Sequence, residues 1–125
     1  MYRILIADDE GIMLESLKNI ISSNYGNECE IHTAKTGRVV VEEAEKYPPD
    51  ICFMDIQMPV MDGYDATARI RRMKDEEKAS IPIIAMTANA FAEDRQKAIS
   101  TGMNDHVAKP IDMKVLLPVM AKYIR

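Results

Sequence analysis

The chain predicts an α/β fold, a (βα)5 arrangement on one doubly wound parallel sheet, and three observations carry that expectation. Five short apolar runs alternate with five stretches of helical periodicity along the 125 residues. The first, third and fourth runs are continuously apolar, as strands covered on both faces are, while the second and fifth are more polar. Strict alternation implies right-handed crossovers, with helices on both faces of the sheet. Putting the polar strands at the edges gives the order 2-1-3-4-5, which reverses between strands 1 and 3.

Taken in order, YRILIA at 2–7 is a short apolar run with β-branched character, ended by Asp8, Asp9 and Glu10. From 11 to 25 the apolar residues Met13, Leu17, Ile20 and Ile21 recur at helical spacing, and Gly26 closes that helix. Cys29, Ile31 and Thr33 alternate in a half-buried strand over 28–34. Thr36-Gly37 opens a helix with Val40, Val41 and Ala44 on its inner face, and Pro48-Pro49 ends it. DICFM drives into Asp55, after which Pro59, without an N–H, and Gly63, permissive of positive φ, turn the chain away. A helix follows from 63 or 64 to 73, then KDEEKAS at 74–80, which reads as loop. Ile81 to Thr87 is the fourth strand, with Pro82 near its start. A helix from Phe91 to Thr101 is closed by Gly102. Asn104 to Ala108 is the short fifth strand, broken by Lys109-Pro110, and Met113, Leu116, Leu117, Met120 and Ile124 mark a final amphipathic helix.

Composition narrows the function classes. The 47% hydrophobic and 29% charged fractions are ordinary for a globular domain, so residues 1–125 read as one unit. A formal charge of −4 and pI near 5.2 give no reason to expect nucleic acid binding. The one basic group, Arg69, Arg71, Arg72 and Lys74, reads as a solvated helix face. No apolar stretch nears the roughly 20 residues that span a bilayer. The start, MYRILIADDE, is unlike a signal peptide, so a cytoplasmic protein is expected, with no membrane partner. Cys29 and Cys52, on strands 2 and 3, would be about two strand spacings, or roughly 10 Å, apart, too far for a disulfide. The ten methionines read mostly as core filler, with Met113 and Met120 as alternative partner-surface residues. The chain ends directly after its last helical pattern, as either a small protein or a domain cut at its boundary would.

The strand ends carry the chemistry. The topology gathers Asp8, Asp9 and Asp55 at the reversal point, where ligands of open α/β sheets bind. Three clustered carboxylates repel one another unless a cation compensates. Hard oxygen ligands suit Mg²⁺, which keeps positions for water or phosphate oxygens. Thr87 and Lys109, at the ends of strands 4 and 5, add a hydroxyl and a mobile ammonium. A carboxylate can attack phosphorus to give an acyl phosphate, with the cations offsetting charge on the phosphoryl oxygens. Singly, Asp8, Asp9 or Asp55 could be a helix cap or turn residue, and Thr87 and Lys109 would be unremarkable. Their common register at strand ends is what singles them out.

With LIADDE at 5–10, FMDIQMPVMDG at 53–63, AMTANA at 85–90 and GMNDHVAKPI at 102–111, the chain resembles, end to end, the receiver domain of two-component response regulators. That family has the flavodoxin-like fold with the same strand order. The resemblance implies Asp55 as phosphoacceptor, and Asp8 and Asp9 as the acid pair for Mg²⁺ or Mn²⁺, Asp9 directly and Asp8 partly through water. It implies that Asp55 and the Gln57 carbonyl complete the metal site, that Thr87 is the switch hydroxyl and that Lys109 pairs with the phosphoryl group. Lys109-Pro110 matches the family's cis peptide. His106 stands where the family has a switching aromatic; read from the residue alone it is an exposed edge-strand histidine. Gln57 and Asn89 occupy the positions that tune phosphoryl lifetime. The output face would be made by the fourth helix, fifth strand and fifth helix, with Phe91, Arg95, His106 and Tyr123.

Partners implied in this way are a histidine kinase or histidine phosphotransfer protein upstream and an output domain or protein downstream. The domain itself would be a monomer or a phosphorylation-dependent dimer, and not an enzyme beyond weak self-phosphorylation and self-dephosphorylation. The start resembles a free-standing regulator, whereas AMTANAF and GMNDHVAKPI resemble receivers of hybrid histidine kinases. An aspartate-nucleophile phosphatase of the haloacid dehalogenase kind wants an acid two residues after the nucleophile, where Gln57 stands. A flavodoxin-like cofactor binder wants a phosphate-cradling loop after strand 1, where DDEGIM stands. A pseudo-receiver that only binds proteins is the remaining alternative, and the complete acid–threonine–lysine set weighs against it.

Overall fold

The computed structural model describes residues 2–58, 61–88, 92–109 and 111–124, with the backbone alone at 92–94. The expectations for Pro59, Asn89, Phe91 and Pro110, the cis peptide included, fall outside these residues. The elements are β1 Tyr2–Ala7, α1 Gly11–Tyr25, β2 Cys29–Ala34, α2 Gly37–Lys46, β3 Ile51–Asp55, α3 Gly63–Arg71, α4 Glu76–Ala79, β4 Ile83–Thr87, α5 Ala92–Thr101, β5 Asp105–Ala108 and α6 Met113–Tyr123. All five strands are parallel, in the order β2-β1-β3-β4-β5.

Alternation along the strands separates two apolar layers. Ile4, Ile6, Phe53, Ile84, Met86 and Val107 face α1 and α6, meeting Leu14, Leu17, Ile21, Leu116 and Met120. Leu5, Cys52, Met54, Ile83 and Ala85 face the other way and pack on Val40, Ala44, Ala66, Ile70 and Ala98. β3 and β4 are buried at every position, as central strands covered on both sides must be. Cys29 pairs in register with Tyr2 and Cys52 with Leu5 across the intervening strand, and both thiols are free. Burial pushes the Cys52 thiol up to about 12.

Several expectations are corrected. KDEEKAS is not all loop: Asp75 Oδ1 accepts the Glu77 N–H at 2.9 Å and Ser80 Oγ donates to the Glu76 carbonyl at 2.6 Å, capping the one-turn α4 at both ends. Gly63 is not at positive φ; the glycines that are, Gly26 and Gly102, end α1 and α5. At Gly63 closeness is the constraint, because a Cβ there would lie 2.5 Å from the Asp55 carbonyl oxygen. Leu14 joins the buried face of α1, Met13 and Ile20 lie at its margin, and Thr33 is exposed. Met113, expected on the inner face of α6, is half exposed, whereas Met120 is fully buried and so unavailable to a partner. Among the described residues no helix is long and apolar enough to cross a membrane.

Arg71 is the largest departure. It is no member of a solvated face: Nε donates to the Gly102 carbonyl, Nη1 to the Ala79 carbonyl and Nη2 to Asn104 Oδ1, each at 2.8 Å. Asn104 Oδ1 also accepts the Ile83 N–H at 2.8 Å. One guanidinium thus ties α3 to α4, to the end of α5 and to the start of β5. Arg69 and Arg72 are exposed, as expected.

Candidate functional site

Each strand-end residue is placed by the register of its strand. Asp8 and Asp9 directly follow β1, Asp55 is the last residue of β3 and Thr87 the last of β4. Lys109 follows β5, and its backbone N–H donates to the Thr87 carbonyl at 2.7 Å, which carries the sheet register one residue past the strand. The lysine side chain returns over the carboxyl edge. Its Nζ lies 2.9 Å from Asp8 Oδ2 and 3.3 Å from Asp55 Oδ2. Asp8, Asp55 and Lys109, separated by up to a hundred residues in sequence, are therefore one charge cluster.

The cluster is shielded from water. Asp8 is fully buried, Asp55 is 4% exposed and Thr87 1%. Burial pushes the Asp55 carboxyl up to about 6; the Gln57 N–H, which donates to Asp55 Oδ1 at 3.1 Å, opposes that rise, the Asp8 charge adds to it and Lys109 reduces it. For Lys109 burial acts to lower the ammonium, and the contacts with Asp8 and Asp55 outweigh it, so the group stays above its ordinary range and charged.

The donor set fits a hard divalent cation. The nearest oxygens of Asp8, Asp9 and Glu10 lie within 4.8 Å of one another. Asp8 Oδ1 accepts the Glu10 N–H at 2.9 Å, while Oδ2 is buried and has an ion pair with Lys109 but no aligned hydrogen bond. Asp8 Oδ2, held by the Lys109 ammonium alone, keeps lone pairs free for a cation, and all-oxygen donors favour Mg²⁺ or Mn²⁺ over zinc. Glu10 was not singled out from the sequence; three consecutive acids at a strand end were the available signal. Asp55 is joined to this trio through Lys109 rather than as a fourth member. Gln57 is exposed beside it.

Thr87 and His106 share a face of the sheet, since His106 lies in register with Ala85 and side chains alternate along β4. The Thr87 hydroxyl is 3.5 Å from the Val107 carbonyl, at the outer limit for a hydrogen bond, and so is weakly held. His106 is not the exposed histidine of the plain reading. Its side chain is 22% exposed and Nδ1 stands 3.8 Å from Asp105 Oδ1. Of the expected output face, Arg95 is exposed, whereas the Tyr123 hydroxyl is engaged, donating to the Asn104 carbonyl at 3.2 Å or Asp105 Oδ2 at 3.3 Å.

Comparison with known proteins gives a consistent result. The profile of the family described as "Response regulator receiver domain" matches residues 4–121. The hybrid signal transduction histidine kinase G of Dictyostelium discoideum is 36% identical over 121 residues, 97% of this chain and 4% of that protein. The chain spans 4% of the length of that kinase and 13% of the length of the sensor protein GacS of Pseudomonas syringae, to which it is 33% identical over 97% of its own length. Among solved structures, the receiver domain of the sensor histidine kinase PA1611 from Pseudomonas aeruginosa, with magnesium coordinated in its active site cleft, aligns with a TM-score of 0.86. It is 32% identical, over 98% of this chain and 97% of that one. The receiver domain of Saccharomyces cerevisiae Ssk1, in complex with the histidine phosphotransfer protein Ypd1, aligns with a TM-score of 0.85. Its identity is 26%, over 98% of this chain and 88% of that one.

Proposed function

The chain belongs to the response regulator receiver domain family, and from that membership we propose that residues 1–125 act as the phosphoacceptor module of a two-component phosphorelay, with Asp55 as the acceptor. The observation that carries this reading is the buried cluster in which Lys109 bridges Asp8 and Asp55 at the reversal point of the sheet. A donor's phosphohistidine would present its phosphorus to an Asp55 oxygen. A P–O bond forms, the P–N bond breaks and the imidazole leaves with the electron pair, to be protonated. Asp55 is the nucleophile, kept ionised by Lys109 and the Gln57 N–H against its burial. Lys109, already charged and within reach, transfers its contact from the two carboxylates to the phosphoryl oxygens. Thr87, whose hydroxyl gives up only a weak bond, can rotate toward the new group.

Asp8 and Asp9, with Glu10 at hand, would hold Mg²⁺ or Mn²⁺, and Asp55 and the Gln57 carbonyl would complete the set. When bound, the metal supplies compensation for negative charge accumulating on the phosphoryl oxygens. The PA1611 receiver, with its magnesium, supports this assignment, and the Ssk1–Ypd1 complex supports a histidine phosphotransfer protein or histidine kinase as donor. Movement of Thr87 would be read by His106 on the same face and passed to the surface of α5, β5 and α6 for an output partner. On this reading the domain is a switch, not a turnover enzyme, and works in the cytoplasm.

The test is incubation with Mg²⁺ and a small acyl phosphate, followed by intact mass. Wild type should gain one phosphoryl group, stable in acid and lost in base, only with the metal present, and Asp55→Asn should gain none. An unmodified wild type, or a modified Asp55→Asn, overturns the assignment; steady phosphate release at many turnovers per second would favour a phosphatase instead.

A further inference from the structure

We propose that the turn between β2 and α2, residues 34–37, is the buttress that sets the spacing between the two halves of the metal site, and that Gly37 is its positioning residue. The inference rests on the phosphoacceptor reading above and extends it to residues that reading does not use.

The two halves are the acids that follow β1 and the segment that follows β3. They come from different strands, and the turn touches both. The Ala34 carbonyl accepts the Asp8 N–H at 3.0 Å, fixing the backbone of the acid pair. Three residues on, the Gly37 N–H donates to the Met61 carbonyl at 3.1 Å, fixing the far part of the segment that begins with Gln57. Thr36, between them, is locked as the N-cap of α2, its Oγ1 accepting the Val39 N–H at 3.2 Å. The segment after β3 has other anchors: Ile56 and Met58 are 7% exposed, and the Gly63 N–H donates to the Ile56 carbonyl at 3.2 Å. Only the Gly37 contact, among the described residues, joins it by a backbone bond to the β1 side.

Gly37 is constrained by space. Its φ is not in the positive range, so the backbone would accept any residue. A Cβ would collide with the Met61 carbonyl oxygen and approach Met61 Cγ to 2.9 Å. Two effects of Gly37→Ala therefore have opposite signs. Alanine in place of glycine favours folding by reducing the freedom of the unfolded chain. The collision displaces the Met61 carbonyl, and by this proposal the displacement is felt at the metal site. A purely structural glycine would change stability alone; a positioning glycine changes how well the metal is held.

The experiment compares wild type, Gly37→Ala and, as control, Arg38→Ala, whose side chain is 78% exposed on the adjacent residue. Metal affinity is read directly, from the Mg²⁺ dependence of amide chemical shifts, beside the melting temperature of the metal-free proteins. Gly37→Ala should raise the Mg²⁺ dissociation constant roughly tenfold, as loss of an outer-shell support does, with a fully folded metal-free state and Arg38→Ala unchanged. Equal affinities in folded Gly37→Ala and wild type overturn the proposal. Should Gly37→Ala not fold, wild type decides: the Gly37 amide shift should move with the same midpoint as the Gln57 amide, and an unmoved Gly37 amide overturns the buttress. A wild type that binds Mg²⁺ but takes no phosphoryl group would instead refute the underlying phosphoacceptor reading, which separates the two failures.

Discussion

At Asp55 burial and charge pull in opposite directions, and the balance has a pH signature. In the metal-free protein the folded state holds the Asp55 proton up to about 6, against 3.8 for the free group. Protonation therefore stabilises the fold at low pH, and that contribution is lost as pH rises through about 6. Asp55→Asn has no proton to lose. Its stability should rise relative to wild type by up to about 3 kcal/mol between roughly pH 4 and pH 7, measured by urea unfolding without metal; a difference constant with pH contradicts this. The gathering of Asp8, Asp9, Asp55 and Lys109 at one sheet edge was legible in the sequence because each follows an apolar run that marks a strand end. Arg71 as a clamp was not, because its role depends on neighbours that only the tertiary structure supplies.

Among the elements, the junction of α3, α4, α5 and β5 depends on one side chain. Removing the Arg71 guanidinium leaves the Gly102 and Ala79 carbonyls and one bond of Asn104 Oδ1 without a donor. Arg71→Ala should destabilise the fold by about 2–4 kcal/mol, and Arg71→Lys should recover less than half of that, since an ammonium cannot reproduce the planar three-way fork. Unfolding of the two variants in urea checks it; a loss under about 0.5 kcal/mol would mark Arg71 as an ordinary surface residue. The periodicity of the five main helices was readable, but α4 was hidden: four residues are too short for a period, and only the Asp75 and Ser80 caps betray it. Met113 was misplaced for a related reason, since periodicity assigns a stripe but not where the stripe runs off its neighbour.

On the scale of the whole molecule, the strand order decides that acids from β1 and β3 meet, and it was legible because edge strands are more polar than central ones. The energetic consequence is that the folded chain brings together negative charges which the unfolded chain keeps apart. A divalent cation should therefore bind only the native state and stabilise it. At free Mg²⁺ ten times its dissociation constant the gain is about 1.4 kcal/mol, or roughly 5 °C in melting temperature for a domain of this size. Chelation should reverse the gain, and Asp9→Asn should largely abolish it. A melting temperature indifferent to Mg²⁺ would remove the metal from the account.

The phosphoacceptor role falls on one carboxylate, that of Asp55, and reductive trapping reaches it directly. After incubation with Mg²⁺ and acetyl phosphate, borohydride reduction converts an aspartyl phosphate to homoserine, and peptide mass spectrometry locates it. Homoserine is expected at position 55 and at no other aspartate. Conversion at Asp8 or Asp9, or none at all in a sample that carries phosphate, would contradict it.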